Sequence, residues 1–213
     1  LKTDVPLLVR KSRQESCVHR SGQLDQIRVV IPGKDDEENS VLVLEGLFTY
    51  RAVTQASRHI PLLRRVLETL HAQQKAVPSS FHAKRVSNVF DSLPTEYLFT
   101  ADVKQIAAMI ERVLEAEQES DVRVHTSQTN EGTVSFVLAA LPRRRWDETL
   151  RRKIEDAVVE ATGASYWDQG IFVGRYETML AHIYLTGTHL LDEGAIAKLE
   201  ERVVQAAESW TDQ

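Results

Sequence analysis

Residues 178 to 186, TMLAHIYLT, alternate strictly: Met179, Ala181, Ile183 and Leu185 fall on one face, with Leu180, His182 and Tyr184 on the other. A period of two is that of a strand, and it anchors the reading of everything around it. Another strand, about 164 to 173, precedes it. Further upstream, 122 to 126 and 133 to 141 flank Asn130-Glu131-Gly132, residues that supply the positive φ a tight hairpin requires. Between the two strand pairs, Trp146, Leu150, Ile154, Val158 and Ala161 recur at three- or four-residue intervals, and Gly163 stands where a left-handed cap ends a helix. A last helix starts with Asp192 as N-cap and carries Ile196, Leu199, Val203, Ala206 and Trp210 inward. The order is ββαββα. From its second strand onward, βαββα is the ferredoxin-like arrangement without its closing strand, and the strand at Val122 is available as an added or substitute edge. An antiparallel sheet with helices on one face makes the fold class α+β.

The first half reads differently. Short β-branched or Leu-rich runs at 5 to 9, 26 to 31 and 41 to 47 are strands, the latter two a hairpin across PGKDDEEN. Pro61 suits a first helical turn, and Leu63, Val66, Leu67 and Leu70 give an amphipathic helix ending near Lys75. Ser79 or Ser80 caps a second helix carrying Val86, Val89, Phe90 and Leu93 until Pro94 stops it. A third starts near Ala101 with Val103, Ile106, Ile110 and Val113 inward. The chain is thus expected to comprise an incomplete β-rich module (1–75), a helical connector (76–118) and the ββαββα module (119–213).

Charge supports more than one module. Residues 1 to 100 hold 14 basic and 11 acidic side chains, a net of +3, and residues 101 to 213 hold 12 and 20, a net of −8. Neither half has the basicity of a nucleic-acid domain. The longest apolar stretches fall far short of the ~20 residues of a membrane-spanning helix. The single Cys17 cannot form an internal disulfide, which suits a cytoplasmic setting. The opening LKTDVPLLVRKSR lacks initiating methionine and signal-peptide features alike, so the chain is expected to be a piece of a longer protein.

Chemistry is sparse. The nearest glycines, Gly170 and Gly174, have three residues between them and make no dinucleotide- or phosphate-binding turn. The seven histidines show no metal-ligand spacing, and no nucleophile elbow exists. The expectation is no catalytic, cofactor-binding or metal residue. Candidate ligand or interface contacts are Arg51 just past a strand, His82 and Lys84 at a helix start, Arg143, Arg144 and Arg145 before the Trp146 helix, and His182 on its strand. Basic residues near a helix N-terminus oppose its dipole. An anionic ligand, an acidic subunit surface or RNA phosphate would favour them there; pairing of this region with Asp147, Glu148 and Glu155 is the plainer account. A solvated surface is likewise the plainer account of Arg51, His82 and Lys84. His182 is expected to be partly buried and hydrogen-bonded.

Several stretches resemble one family. KSRQESCVHR fits K-S-x-x-x-S-x-V-H-R through Lys11, Ser12, Ser16, Val18, His19 and Arg20. Gly46, Leu47, Phe48 and Thr49, then Ile60, Pro61, Leu63, Arg64 and Arg65, fit a second pattern. His82, Lys84, Asn88, Pro94, Glu96, Leu98 and Phe99 fit a third. VRVHTSQTNEGTVSFVLAALPRRRWDETLRRKIE and LAHIY continue the similarity in order. Together they resemble the long N-terminal, non-catalytic region of the large NAD-specific glutamate dehydrogenases. The departures include Ala83 for an acidic residue and Asp91-Ser92 for Glu-Thr.

The resemblance implies ACT-like modules, one incomplete at 1–75 and one at 119–213, in a regulatory and assembly segment. It implies a homo-oligomeric parent that deaminates L-glutamate oxidatively to 2-oxoglutarate and ammonia, with NAD in a catalytic domain outside this segment. Implied partners are the catalytic region of the same polypeptide, other subunits and an effector amino acid. The alternative is a stand-alone ferredoxin-like module that binds nucleic acid or serves as a purely structural interaction unit. For stacking on single strands the central strands offer only Phe136, Phe172 and Tyr184.

Overall fold

The computed structural model describes residues 7–18, 23–33, 38–74, 77, 79–129, 134–173 and 177–208. β1 (Leu7–Glu15), β2 (Gln23–Ile31) and β3 (Ser40–Gly46) form an antiparallel sheet in that order. The hairpin of β2 and β3 stands as expected. β1 runs on to Glu15, well past the apolar residues that mark it in sequence. Its polar half is held by ladder pairing and by Lys11, whose Nζ lies 2.6 Å from the Asp25 carboxylate. The 5–6 start of that strand lies outside the described residues. β3 is an open edge: Val41, Leu42, Val43 and Leu44 are each 42–52% exposed.

Five helices follow: α1 (Tyr50–Thr54), α2 (Pro61–Gln73), α3 (Phe81–Ser92), α4 (Thr95–Thr100) and α5 (Val103–Glu119). Ser80 caps α3 by accepting from the Ala83 N–H at 3.1 Å. Asp102 and Gln105 form a reciprocal capping box on α5. α1 and α4 have no expectation in the sequence reading. Pro94 does end α3, but its fixed φ then opens α4 from the N-cap position.

The second half supplies β4 (Arg123–Gln128), β5 (Val134–Pro142), α6 (Glu148–Thr162), β6 (Tyr166–Val173), β7 (Thr178–Thr186) and α7 (Glu193–Glu208). Gly163 takes the left-handed cap of α6, and the Asp192 carboxylate accepts from Ala195 N–H at 2.7 Å to cap α7. Trp146 precedes α6 instead of belonging to it, because Asp147 is the residue that caps the helix. Arg143–Arg145 make a short 3₁₀ turn. The Asn130-Glu131-Gly132 turn and Trp210 lie outside the described residues.

The sheet order is β4-β5-β7-β6, all antiparallel. Counted from β5, this is the ferredoxin-like arrangement with β4 occupying the place of the missing closing strand, so β4 is the substitute edge. Alternation along β5 and β7 then serves two cores. Val137, Ala139, Leu141, Ile183 and Leu185 face α6 and α7. Phe136, Leu138, Ala140, Leu180 and Tyr184 face the helical layer, where Leu63, Val86, Phe90, Ile106 and Ile110 are buried against them. The helices expected as a connector therefore cover the second face of this sheet, the first being covered by the module's own pair.

The two edges of this sheet differ. On β4 the Thr126 N–H donates to the Glu200 carboxylate of α7 at 2.7 Å, and Gln105 of α5 donates to the Gln128 carbonyl at 2.7 Å. Side chains thus occupy edge positions where another strand would bind. β6 instead presents Trp167, Ile171, Phe172 and Val173, all exposed. Among the described residues, no helix is long and apolar enough to cross a membrane.

Candidate functional site

Glu117 stands four residues after Val113 on the inward stripe of α5, and Arg85 four before Val89 on α3. Packing α3 on α5 therefore buries two opposite charges together. Arg85 Nη2 lies 3.1 Å from Glu117 Oε2 and donates to the Leu114 carbonyl at 3.2 Å. The buried Nε of Arg85 has no hydrogen-bond partner. This pair borders a cavity of about 360 Å³, closed on the sheet side by Phe172, Val173 and Leu180 and on the helical side by Asn88, Asp91 and Ser92.

Asp91, Ser92 and Phe172 also border a second cavity, of about 620 Å³, that reaches His182. On its wall, Asp91 Oδ1 accepts from the Ser57 N–H at 3.2 Å and from the Ser57 hydroxyl. The His182 ring stacks on Phe136 with centroids 5.7 Å apart and covers Gly170 across the ladder. The hydrogen bond expected for it is not found among the described residues; aromatic packing holds the ring instead. Burial pushes its pKa down to about 4, opposed by the Asp168 carboxylate, so the imidazole is neutral at neutral pH.

The other candidate residues are dispersed. Arg143 and Arg144 are exposed and border a cavity of about 510 Å³ with Ser120, Glu177 and Thr178; Arg143 lies 3.6 Å from Glu177. Arg145 turns inward, where Nε and Nη1 lack hydrogen-bond partners and Asp121 Oδ1 is 3.8 Å from Nη1. The neighbouring Arg151 pairs with Glu148 and Glu155 at 2.7 Å each, the plain account of that charge run. This holds the Glu148 carboxyl well below the usual range, at about 2. His82 is exposed and 3.2 Å from Gln74; Lys84 and Arg51 are exposed. The candidate residues do not converge on one site. Arg85, Asn88, Asp91 and Glu117, which do line a common cavity, are absent from the candidates, although a charge on each of two apolar stripes was there to be read.

The geometry gives little to stacking bases. Phe136 and Tyr184 are buried under helices, leaving Phe172 open. Among the described residues no group of three or more His, Cys, Asp or Glu could hold a metal ion.

Comparison with known proteins gives a consistent picture. Residues 60–119 match the family profile described as glutamate dehydrogenase, helical motif 1, and residues 123–211 match that of the glutamate dehydrogenase ACT2 domain. The chain is similar to the NAD-specific glutamate dehydrogenase of Halomonas elongata, with 24% identity over 209 residues and 95% of this chain covered. It is also similar to that of Pseudomonas aeruginosa, with 24% identity over 217 residues and 100% covered. In each case it spans 13% of the relative's length.

Proposed function

We propose that this chain, which belongs to the glutamate dehydrogenase family through its helical motif 1 and ACT2 domain, is a non-catalytic regulatory and assembly segment of a larger NAD-dependent enzyme. The parent reaction in this reading is oxidative deamination of L-glutamate to 2-oxoglutarate and ammonia, in a cytoplasmic homo-oligomer. The observation that carries it is the collinear match of both segments, joined in one packed unit by the shared sheet. The segment divides at about 75 and 118, with α2 packing across the first boundary onto α3 and α5.

NAD belongs to the rest of the polypeptide. A dinucleotide's pyrophosphate seeks free N–H groups at a helix N-terminus. Here the N-termini of α5, α6 and α7 are already occupied by the carboxylates of Asp102, Asp147 and Asp192, which repel phosphate, so these ends do not fit the cofactor. An effector acts on the parent only by binding two of its conformations unequally.

The test replaces this segment in the parent enzyme. We expect the oligomer, followed by light scattering, or the response of glutamate oxidation to amino acids to be lost. The isolated chain is expected to form no NADH from glutamate. Turnover by the isolated chain, or an unaltered parent after replacement, overturns the reading.

A further inference from the structure

We propose that two glutamines, Gln105 on α5 and Gln128 at the end of β4, form a hydrogen-bond relay that couples the N-terminus of α5 to the loop leading into α7. The relay stands on its contacts and is independent of the regulatory reading. Gln105 Oε1 accepts from the Asp102 N–H at 3.0 Å, and Gln105 Nε2 donates to the Gln128 carbonyl at 2.7 Å. The side chain of Gln128 continues from there. Its Oε1 accepts from the Leu191 N–H at 2.9 Å, while Nε2 donates to the Ser135 hydroxyl at 2.7 Å and to the His189 carbonyl at 3.1 Å. The Ser135 hydroxyl, fully buried, donates in turn to the Thr188 hydroxyl at 3.1 Å.

Each of the two positions needs an acceptor and a donor at the tip of one side chain. An amide supplies both, whereas an ionised carboxylate has no donor and an ammonium group no acceptor. The partners also fix which way each amide points, because a backbone N–H can only meet its oxygen and a backbone carbonyl only its nitrogen. Gln128 is the junction: its backbone receives from α5 and its side chain holds the α7 loop, so a shift of this residue is felt on both sides. Hydrogen bonds linked in this way polarise one another, and losing one weakens the next. The covalent chain joins α5 to β4 at the other end of the helix. From Gln105 to Glu119 the helix covers about 21 Å, and β4 runs back about 17 Å from Arg123 to Gln128. The relay therefore fastens the end of α5 that the covalent link leaves free. Asp102 and Gln105 lie in the segment that matches the helical motif, and Gln128, Ser135 and Leu191 in the one that matches the ACT2 domain, so the relay crosses from one to the other.

The test is amide hydrogen exchange, residue by residue, on the whole chain. Gln105→Glu keeps the acceptor for Asp102 and removes the donor to Gln128, which cuts the relay at its middle. Leu191, whose amide is held by Gln128 and not by Gln105, is then expected to exchange about threefold faster or more. Gln128→Met has a side chain of similar length without the amide, and the same increase is expected at Asp102, whose amide is held by Gln105. With Gln128→Met already in place, Gln105→Glu should have no further effect on Leu191. Glu200→Ala serves as the control, since it loosens the β4 edge outside the relay and is expected to leave Leu191 and Asp102 as they are. Thermal melts establish that the variants fold; should Gln128→Met fail to do so, Gln105→Glu decides alone. Exchange that changes only at the amide each glutamine holds itself, or a response of Leu191 to Glu200→Ala as large as to Gln105→Glu, overturns the relay and leaves separate local contacts.

Discussion

A side-chain carbon placed on Gly170 would lie 2.6 Å from the Cε1 and Nε2 atoms of His182, its partner across the β6–β7 ladder. The glycine is the space the imidazole occupies. Gly170→Ala is therefore expected to destabilise the chain by about 1–3 kcal/mol, because the ring is clamped on its other side by Phe136 and cannot simply step away. In a His182→Ala background the same substitution should cost much less. Urea titrations of the four proteins of this cycle give the coupling; equal costs in both backgrounds refute the clash.

The same imidazole makes stability depend on pH. Its folded-state pKa is depressed to about 4 from 6.5, so between those values the unfolded chain binds a proton that the folded one does not. Stability from this group is whole above about pH 6.5, falls as pH drops through the window, and is gone below about pH 4. The loss is on the order of 2–3 kcal/mol, allowing for the ring's partial exposure. His182→Phe should flatten that part of the profile, and the ring proton shifts should titrate near pH 4.

The ion pair of Arg85 and Glu117 should behave asymmetrically. Removing one partner, as in Arg85→Met or Glu117→Gln, strands the other and is expected to cost about 3–5 kcal/mol. Replacing both, Arg85→Met with Glu117→Leu, should recover most of that. Chemical denaturation of the three variants decides it, and additive losses in the double variant contradict the paired burial.

At the β4 edge, Glu200→Ala frees the Thr126 N–H and is expected to expose that amide to exchange. Hydrogen exchange should show Thr126 protection falling while the β5–β7 ladder keeps its own. Concentration-dependent light scattering is expected to rise as the bared edge pairs with other chains.

Much of this architecture was legible because two periods coexist in the sequence. The alternation at 178–186 gave both faces of β7, and the three- and four-residue spacing of Leu150, Ile154 and Val158 gave α6. What stayed hidden was pairing across distance. β1 reaches Glu15 through residues that look like loop, since Lys11 is useful only with Asp25 and Glu96 nearby. α4 hid behind Pro94, which reads equally as a stop and as a start. The cavity was missed for a similar reason: Arg85 and Glu117 lie 32 positions apart, and nothing local shows that two charged residues on apolar stripes face each other.

The place of β4 has a mechanical consequence. Only residues 120–122 separate the end of α5 from the start of β4, and Ser120 sits in the left-handed conformation while Asp121 is tied to Arg123 at 2.8 Å. Such a short, braced link has no slack. A twist or slide of α5 is delivered straight to the rim of the sheet, as by a crank, so whatever displaces the helical layer also strains the strand that completes the ACT-like unit.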